Sequence, residues 1–159
     1  MEIYLLRHGI AEDAKPGQSD ASRALTEEGR DKLARVLRRA GKAGMAPSLI
    51  LSSPLRRAIE TAEVAAQLLE YSGRLVQTHA LVPEASPADI WDELRERREE
   101  TSILLASHEP LMSSLASFLL RSPALQVDMK KAALVRVDCD RFNSEPSGVL
   151  KWMLTPGLV

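Results

Sequence analysis

Residues 2–9 read EIYLLRHG, and the change of character at Arg7 governs how the rest of the chain is understood. Ile3, Tyr4, Leu5 and Leu6 form the continuous apolar run of a buried strand. Arg7 and His8 do not belong in such a run. Either they sit at an exposed strand end, or they are placed there for chemistry. Neighbouring side chains on a strand point to opposite faces, so the two can serve one ligand only if the chain leaves the strand at this point. Gly9 is expected to permit the unusual backbone angles of that exit.

Outward from this strand, the chain alternates strand-like and helix-like segments without a repeat or long linker. AEDAKPGQSDASR (11–23) is a polar loop, longer than the usual connection of about 4–6 residues. Thr26 followed by Glu27 and Glu28 predicts a capped helix start, and Leu33, Val36, Leu37 and Ala40 fall at helical spacing. Gly41, Gly44 and Pro47 close that helix. SLILSS (48–53) is a second buried strand. Pro54 is expected in the first turn of the next helix, which carries Ala58, Ala62, Ala65, Leu68 and Leu69. RLVQTHAL (74–81) is a weaker strand, and Ser86-Pro87 caps a helix reaching about Arg98. TSILLASH (101–108) is a third strong strand, followed by the apolar helix PLMSSLASFLL (110–120). AALVRVD (132–138) and GVLKWML (148–154) close the chain as a hairpin around SEPSG. This order predicts an α/β fold, a three-layer α/β/α sandwich with a mostly parallel central sheet.

The bulk properties agree. The 159 residues suit one domain, 1–159, large enough to bury about 68–70% of its unfolded surface without a staple. Hydrophobic residues make up 45% and aromatics 4%, so aliphatic side chains must build the core. A net charge of −1 with both signs interspersed argues against a general nucleic-acid or membrane-surface binder, though not against a local basic pocket. Cys139 is the only cysteine, which excludes an intrachain disulfide and fits a reducing, cytoplasmic setting. No run approaches the roughly 20 apolar residues that span a bilayer, and no spacing of His, Cys, Asp or Glu suggests a metal site.

In open α/β sheets ligands bind beyond the carboxyl ends of strands. Three strands here end in polar residues: Arg7-His8-Gly9, Ser52-Ser53-Pro54-Leu55-Arg56-Arg57, and Ser107-His108-Glu109. Brought together, they would place two imidazoles and at least two guanidinium groups in one crevice. Guanidinium forks match phosphate oxygens. A neutral imidazole among them can attack phosphorus and carry the phosphoryl group, while the cations stabilise charge on its oxygens. The attacking nitrogen must be unprotonated, so the other ring nitrogen should donate to a fixed acceptor such as a backbone carbonyl.

The ordered motifs L-R-H-G, R-A-L-T-E-E-G (23–29), S-P-L-R-R-A-I-E-T-A (53–62) and S-H-E-P-L (107–111) resemble those of the histidine phosphatase superfamily, which includes the phosphoglycerate mutases. The short chain, with no large inserted cap, is most similar to the small bacterial phosphohistidine phosphatases. The resemblance implies that His8 becomes phosphorylated and that Arg7 and Arg57 hold the phosphoryl group. It further implies that His108 stabilises the transition state, with no metal or organic cofactor. Arg23 either lines the pocket mouth or is a solvated loop arginine. Glu84, in L-V-P-E-A, is either the acid that many relatives use to protonate a leaving alkoxide or a capping residue before Ser86-Pro87. Phosphohistidine needs no such acid, because its ring is protonated from solvent and leaves as neutral imidazole.

The resemblance therefore implies a phosphatase whose partner is a phosphohistidine-bearing signalling or phosphotransfer protein, involving neither nucleic acid nor membrane. A phosphatase of small phosphorylated esters and a non-catalytic phosphohistidine-binding module are the alternatives. His79, Cys139, Trp91 and Trp152 read as structural, and LRERREE (94–100) as a solvated helix end.

Overall fold

The computed structural model describes residues 1–159. Its six strands are β1 (Glu2–Arg7), β2 (Leu49–Ser52), β3 (Leu75–Gln77), β4 (Ser102–Ser107), β5 (Leu134–Asp138) and β6 (Val149–Leu154). They form one sheet in the order β3-β2-β4-β1-β5-β6. β3, β2, β4 and β1 run parallel, whereas β5 pairs antiparallel with both β1 and β6. The four helices are α1 (Glu27–Lys42), α2 (Arg56–Leu68), α3 (Pro87–Glu96) and α4 (Leu111–Leu119). None is long and apolar enough to cross a membrane.

Alternation along the central strands creates two cores. Ile3, Leu5, Ile103 and Leu105 pack against Trp91 and Leu94 of α3 and Leu111 and Leu115 of α4. Tyr4, Leu6, Leu104 and Ala106 face Leu33, Val36 and Leu37 of α1 and Ala62 and Ala65 of α2. Both sheet faces are thus covered, which is why β1 and β4 read as uninterrupted apolar runs. The three-layer sandwich expected from the sequence is the observed architecture. The α1 start also matches expectation, with Thr26 Oγ1 accepting the Gly29 N–H at 2.9 Å.

Two local expectations differ. Pro54 lies outside α2, which starts at Arg56 with Leu55 as its N-cap; the Leu55 N–H instead donates to Ser53 Oγ at 3.3 Å. The weak strand 74–81 shortens to Leu75–Gln77, because Thr78 caps a one-turn 3-10 helix at His79–Leu81 through the Ala80 N–H. Exposed His79 therefore belongs to that turn rather than to the sheet. The hairpin of β5 and β6 is present, with a register shift between Arg136 and Val137.

For the site, strand order is decisive. β2, β4 and β1 are adjacent and parallel, so Ser52, Ser107 and Arg7 end the strands on the same side of the sheet. Arg7 stands opposite Ser107, and Ser52 opposite Ala106.

Candidate active site

β1 stops at Arg7, and His8 is already outside the strand while its N–H donates to the Ser107 carbonyl at 2.9 Å. The turn brings the His8 ring back on itself: Nδ1 lies 2.7 Å from the Gly9 carbonyl oxygen. A carbonyl oxygen can only accept, so Nδ1 carries the proton. Nε2 then keeps its lone pair, and it accepts a hydrogen bond from Arg57 Nε at 3.4 Å. Two independent partners thus specify the same tautomer.

Gly9 contributes differently from expectation. Its φ is not positive; the positive-φ glycines are Gly17 and Gly44. Close packing is the reason for glycine here. A Cβ on Gly9 would meet the Gly29 carbonyl at 3.1 Å and Leu25 Cδ2 at 3.3 Å. The Gly9 N–H donates to Thr61 Oγ1, and that hydroxyl donates to the Arg57 carbonyl at 2.7 Å, tying the turn after β1 to α2.

His108 follows directly on β4, fully buried, with its ring centroid 5.1 Å from that of His8. Its Nε2 is 2.7 Å from Ser53 Oγ, and its Nδ1 is buried without a partner. Arg7 Nη1 donates to the Met129 carbonyl at 2.7 Å, whereas Arg7 Nε is likewise buried and unpartnered. Only one other buried side-chain nitrogen or oxygen, Arg97 Nε, lacks a partner. An orphaned buried polar atom costs about 1–3 kcal/mol, and two of the three in the chain lie in this one strand-end cluster.

Electrostatics keep both rings neutral. Burial, with the charges of Arg57, Arg7 and Lys131, pushes the His8 pKa down to about 4 against the opposing Gly9 hydrogen bond. Burial, with the adjacent His8 ring and the charge of Arg57, pushes His108 down to about 3. At neutral pH the cluster is therefore two neutral imidazoles among fixed guanidinium charges.

Asp20 is a member that sequence reasoning missed. Arg57 Nη1 donates to its carbonyl at 3.0 Å and Nη2 to its Oδ2 at 3.1 Å. Burial opposes ionisation of Asp20, yet the Arg57 charge and hydrogen bonds from Arg23 and Arg57 hold its carboxyl below the usual range. Arg23 reaches the site only through this residue, with Nε 2.9 Å from Asp20 Oδ1 and Nη1 donating to the Glu12 carbonyl. The D-x-x-R spacing was the available signal, one helical turn apart around a 3-10 helix at Asp20–Ser22.

Glu84 is exposed on the turn after the 3-10 helix His79–Leu81, and its carboxylate makes no hydrogen bond or ion pair. Nor does it cap α3: Ser86 and Asp89 close that capping box between themselves. Its turn is anchored near β4 by the Ser107 hydroxyl, which donates to the Leu81 carbonyl at 2.6 Å.

Residues 3–82 match the family described as "Histidine phosphatase superfamily (branch 1)". The chain belongs to this superfamily. An uncharacterized protein of Picosynechococcus sp. is 30% identical over 138 residues, covering 85% of this chain and 83% of that protein. Among solved structures, the protein histidine phosphatase SixA complexed with tungstate superposes with a TM-score of 0.86 at 25% identity, covering 99% of this chain and 98% of that one. A mycobacterial glucosyl-3-phosphoglycerate phosphatase shares the fold at a TM-score of 0.68 and 19% identity, covering 94% and 96% of the two chains. The superfamily expected from the four motifs is thereby established.

Proposed function

We propose that this protein hydrolyses phosphohistidine on a partner protein through a phosphorylated His8. The observation that carries the reading is the fixed tautomer of His8, with Nδ1–H held by Gly9 and Nε2 directed to Arg57. In the first step the Nε2 lone pair forms a bond to phosphorus while the substrate's P–N bond breaks, and solvent protonates the departing imidazole. In the second, water attacks phosphorus, the His8 N–P bond breaks with its electron pair returning to Nε2, and the proton lost by water passes to solvent, giving inorganic phosphate. Arg7, Arg57 and His108 hold the phosphoryl oxygens through both steps, a task that is largely electrostatic. No step requires an acid from the protein, and the unpaired, exposed Glu84 is consistent with that economy.

A second reading, a phosphatase of small esters, is favoured by the fold shared with the glucosyl-3-phosphoglycerate phosphatase. An alkoxide leaves poorly without a proton, so that reading needs Glu84 as the acid.

Phosphate release from a phosphohistidine protein, compared with a panel of phosphate esters, separates the two. His8→Ala is expected to lower turnover at least about 10³-fold, as expected when a covalent nucleophile is removed. Glu84→Gln is expected to leave phosphohistidine turnover within about twofold, since the departing imidazole takes its proton from solvent. Turnover that survives His8→Ala would sink the covalent mechanism. Ester rates above the phosphohistidine rate, lost in Glu84→Gln, would favour the second reading.

A further inference from the structure

Beside the phosphoryl site lies a cavity of about 770 Å³ that shares Arg7 with it. The other cations around it are Lys32 and Arg35, one turn apart on α1, and Lys130 and Lys131 on the turn before β5. No carboxylate lines it. The whole chain has a net charge of −1, so five positive side chains around one cavity are a local concentration that composition does not explain.

The turn that carries the two lysines is built into the reacting centre. The Met129 carbonyl accepts from Arg7 Nη1, the Ala132 N–H donates to the His8 carbonyl at 3.1 Å, and the Arg7 N–H donates to the Ala133 carbonyl at 3.1 Å. Within the turn the Ala133 N–H donates to the Lys130 carbonyl at 2.8 Å. Lys32 and Lys130 have ion-pair partners in Glu28 and Asp128, which do not line the cavity, whereas Arg35 and Lys131 have none. The Lys131 charge also bears on His8, whose pKa it helps to lower.

We infer that this cavity receives carboxylate side chains that flank the phosphohistidine on the protein substrate. This rests on the function proposed above. Four long, flexible cationic side chains from α1 and the 130–131 turn surround a space far larger than one phosphate. Convergent guanidinium forks suit a single phosphate, whereas separate rim cations suit several carboxylates arriving together. Rim charges of this kind raise encounter rates and select partners, and their effect weakens with salt.

Two phosphohistidine peptides of equal length test it, one flanked by Asp and Glu and the other by Ser and Ala. Rates of phosphate release would be compared at about 50 and 300 mM salt, which brackets strong and weak screening. The Lys32→Glu/Arg35→Glu double variant, altered at half-exposed and exposed positions, would be run alongside. Binding of the unphosphorylated acidic peptide would be followed by fluorescence anisotropy. The native protein should favour the acidic peptide about tenfold in kcat/KM at low salt, chiefly through KM, as expected for a few rim ion pairs. The ratio should shrink with salt and fall to about one in the double variant, which should also bind the unphosphorylated peptide more weakly. Equal rates for the two peptides, or equal peptide binding by native protein and variant, would overturn the assignment. If neither peptide is hydrolysed, the proposed function fails, and the anisotropy result still decides the cavity.

Discussion

At the scale of single residues, the His8 ring combines burial, a carbonyl partner and a guanidinium neighbour, and the outcome is a base that stays neutral. That has a consequence for stability. In the unfolded chain His8 titrates near its ordinary 6.5, whereas in the fold it titrates at about 4. Between those values the unfolded state binds more protons, so stability rises with pH there and is lost as pH falls from 6.5 towards 4. A depression of this size corresponds to on the order of 3 kcal/mol. Chemical denaturation from pH 7.5 to 4.5 should show most of that loss together with a parallel one from His108, which titrates at about 3 in the fold. His8→Asn, which cannot titrate, should remove the His8 share of the slope. An unchanged slope in the variant would mean that burial of this ring is not what acid attacks. The residue scale also shows where sequence reading reaches its limit. Arg7, His8, Arg57 and His108 were legible because each lies at or just past a strand end, or opens a helix, in a recognisable motif. Asp20 was not, because the D-x-x-R spacing points only to Arg23, while its meeting with Arg57 joins a polar loop to α2 across 37 residues. The tautomer of His8 was legible as a requirement, while its acceptor, Gly9, could be identified only from the turn itself.

Elements explain the remaining differences. The long apolar runs of β1 and β4 and the capped, periodic α1 were plain, because burial on both sheet faces and the Thr26 cap impose strong patterns. β3 was overextended in the sequence reading because Thr78 diverts the chain into a 3-10 turn after Gln77, and alternation alone does not register a cap. Gly9 is expected as a conformational device, yet it and Gly29 are contact devices. A Cβ on Gly29, in the first turn of α1, would collide with the Ile10 carbonyl, and Gly29 is in turn what the Gly9 backbone rests against. Ordinarily Gly→Ala within a helix gains up to about 1 kcal/mol. Here overpacking should reverse the sign, so Gly29→Ala is expected to lose about 1–3 kcal/mol. For a chain of this size that lowers Tm by roughly 2–4 °C per kcal/mol. Thermal melts would show it, and an unchanged or raised Tm would refute the close-packing explanation.

At the scale of the whole molecule, the site is a product of strand order. His8 and Arg57 are 49 residues apart, and Ser53 and His108 are 55 apart, yet all meet because β2, β4 and β1 are neighbours. The first strand of the chain sits at the middle of the sheet, and both of its partners, β4 and β5, begin after residue 101. A ribosome working from the amino terminus therefore releases β1 long before anything exists for it to pair with. Its apolar run must wait, unpaired, while nearly two thirds of the polypeptide is made. Chains arrested at residue 100 should then be protease-sensitive throughout β1 and unable to release phosphate. Extension to residue 159 should confer protection and activity together, since the same pairing that shields the strand also brings Arg7 opposite Ser107. Protection of β1 in the arrested chain would show that its order does not depend on the later strands.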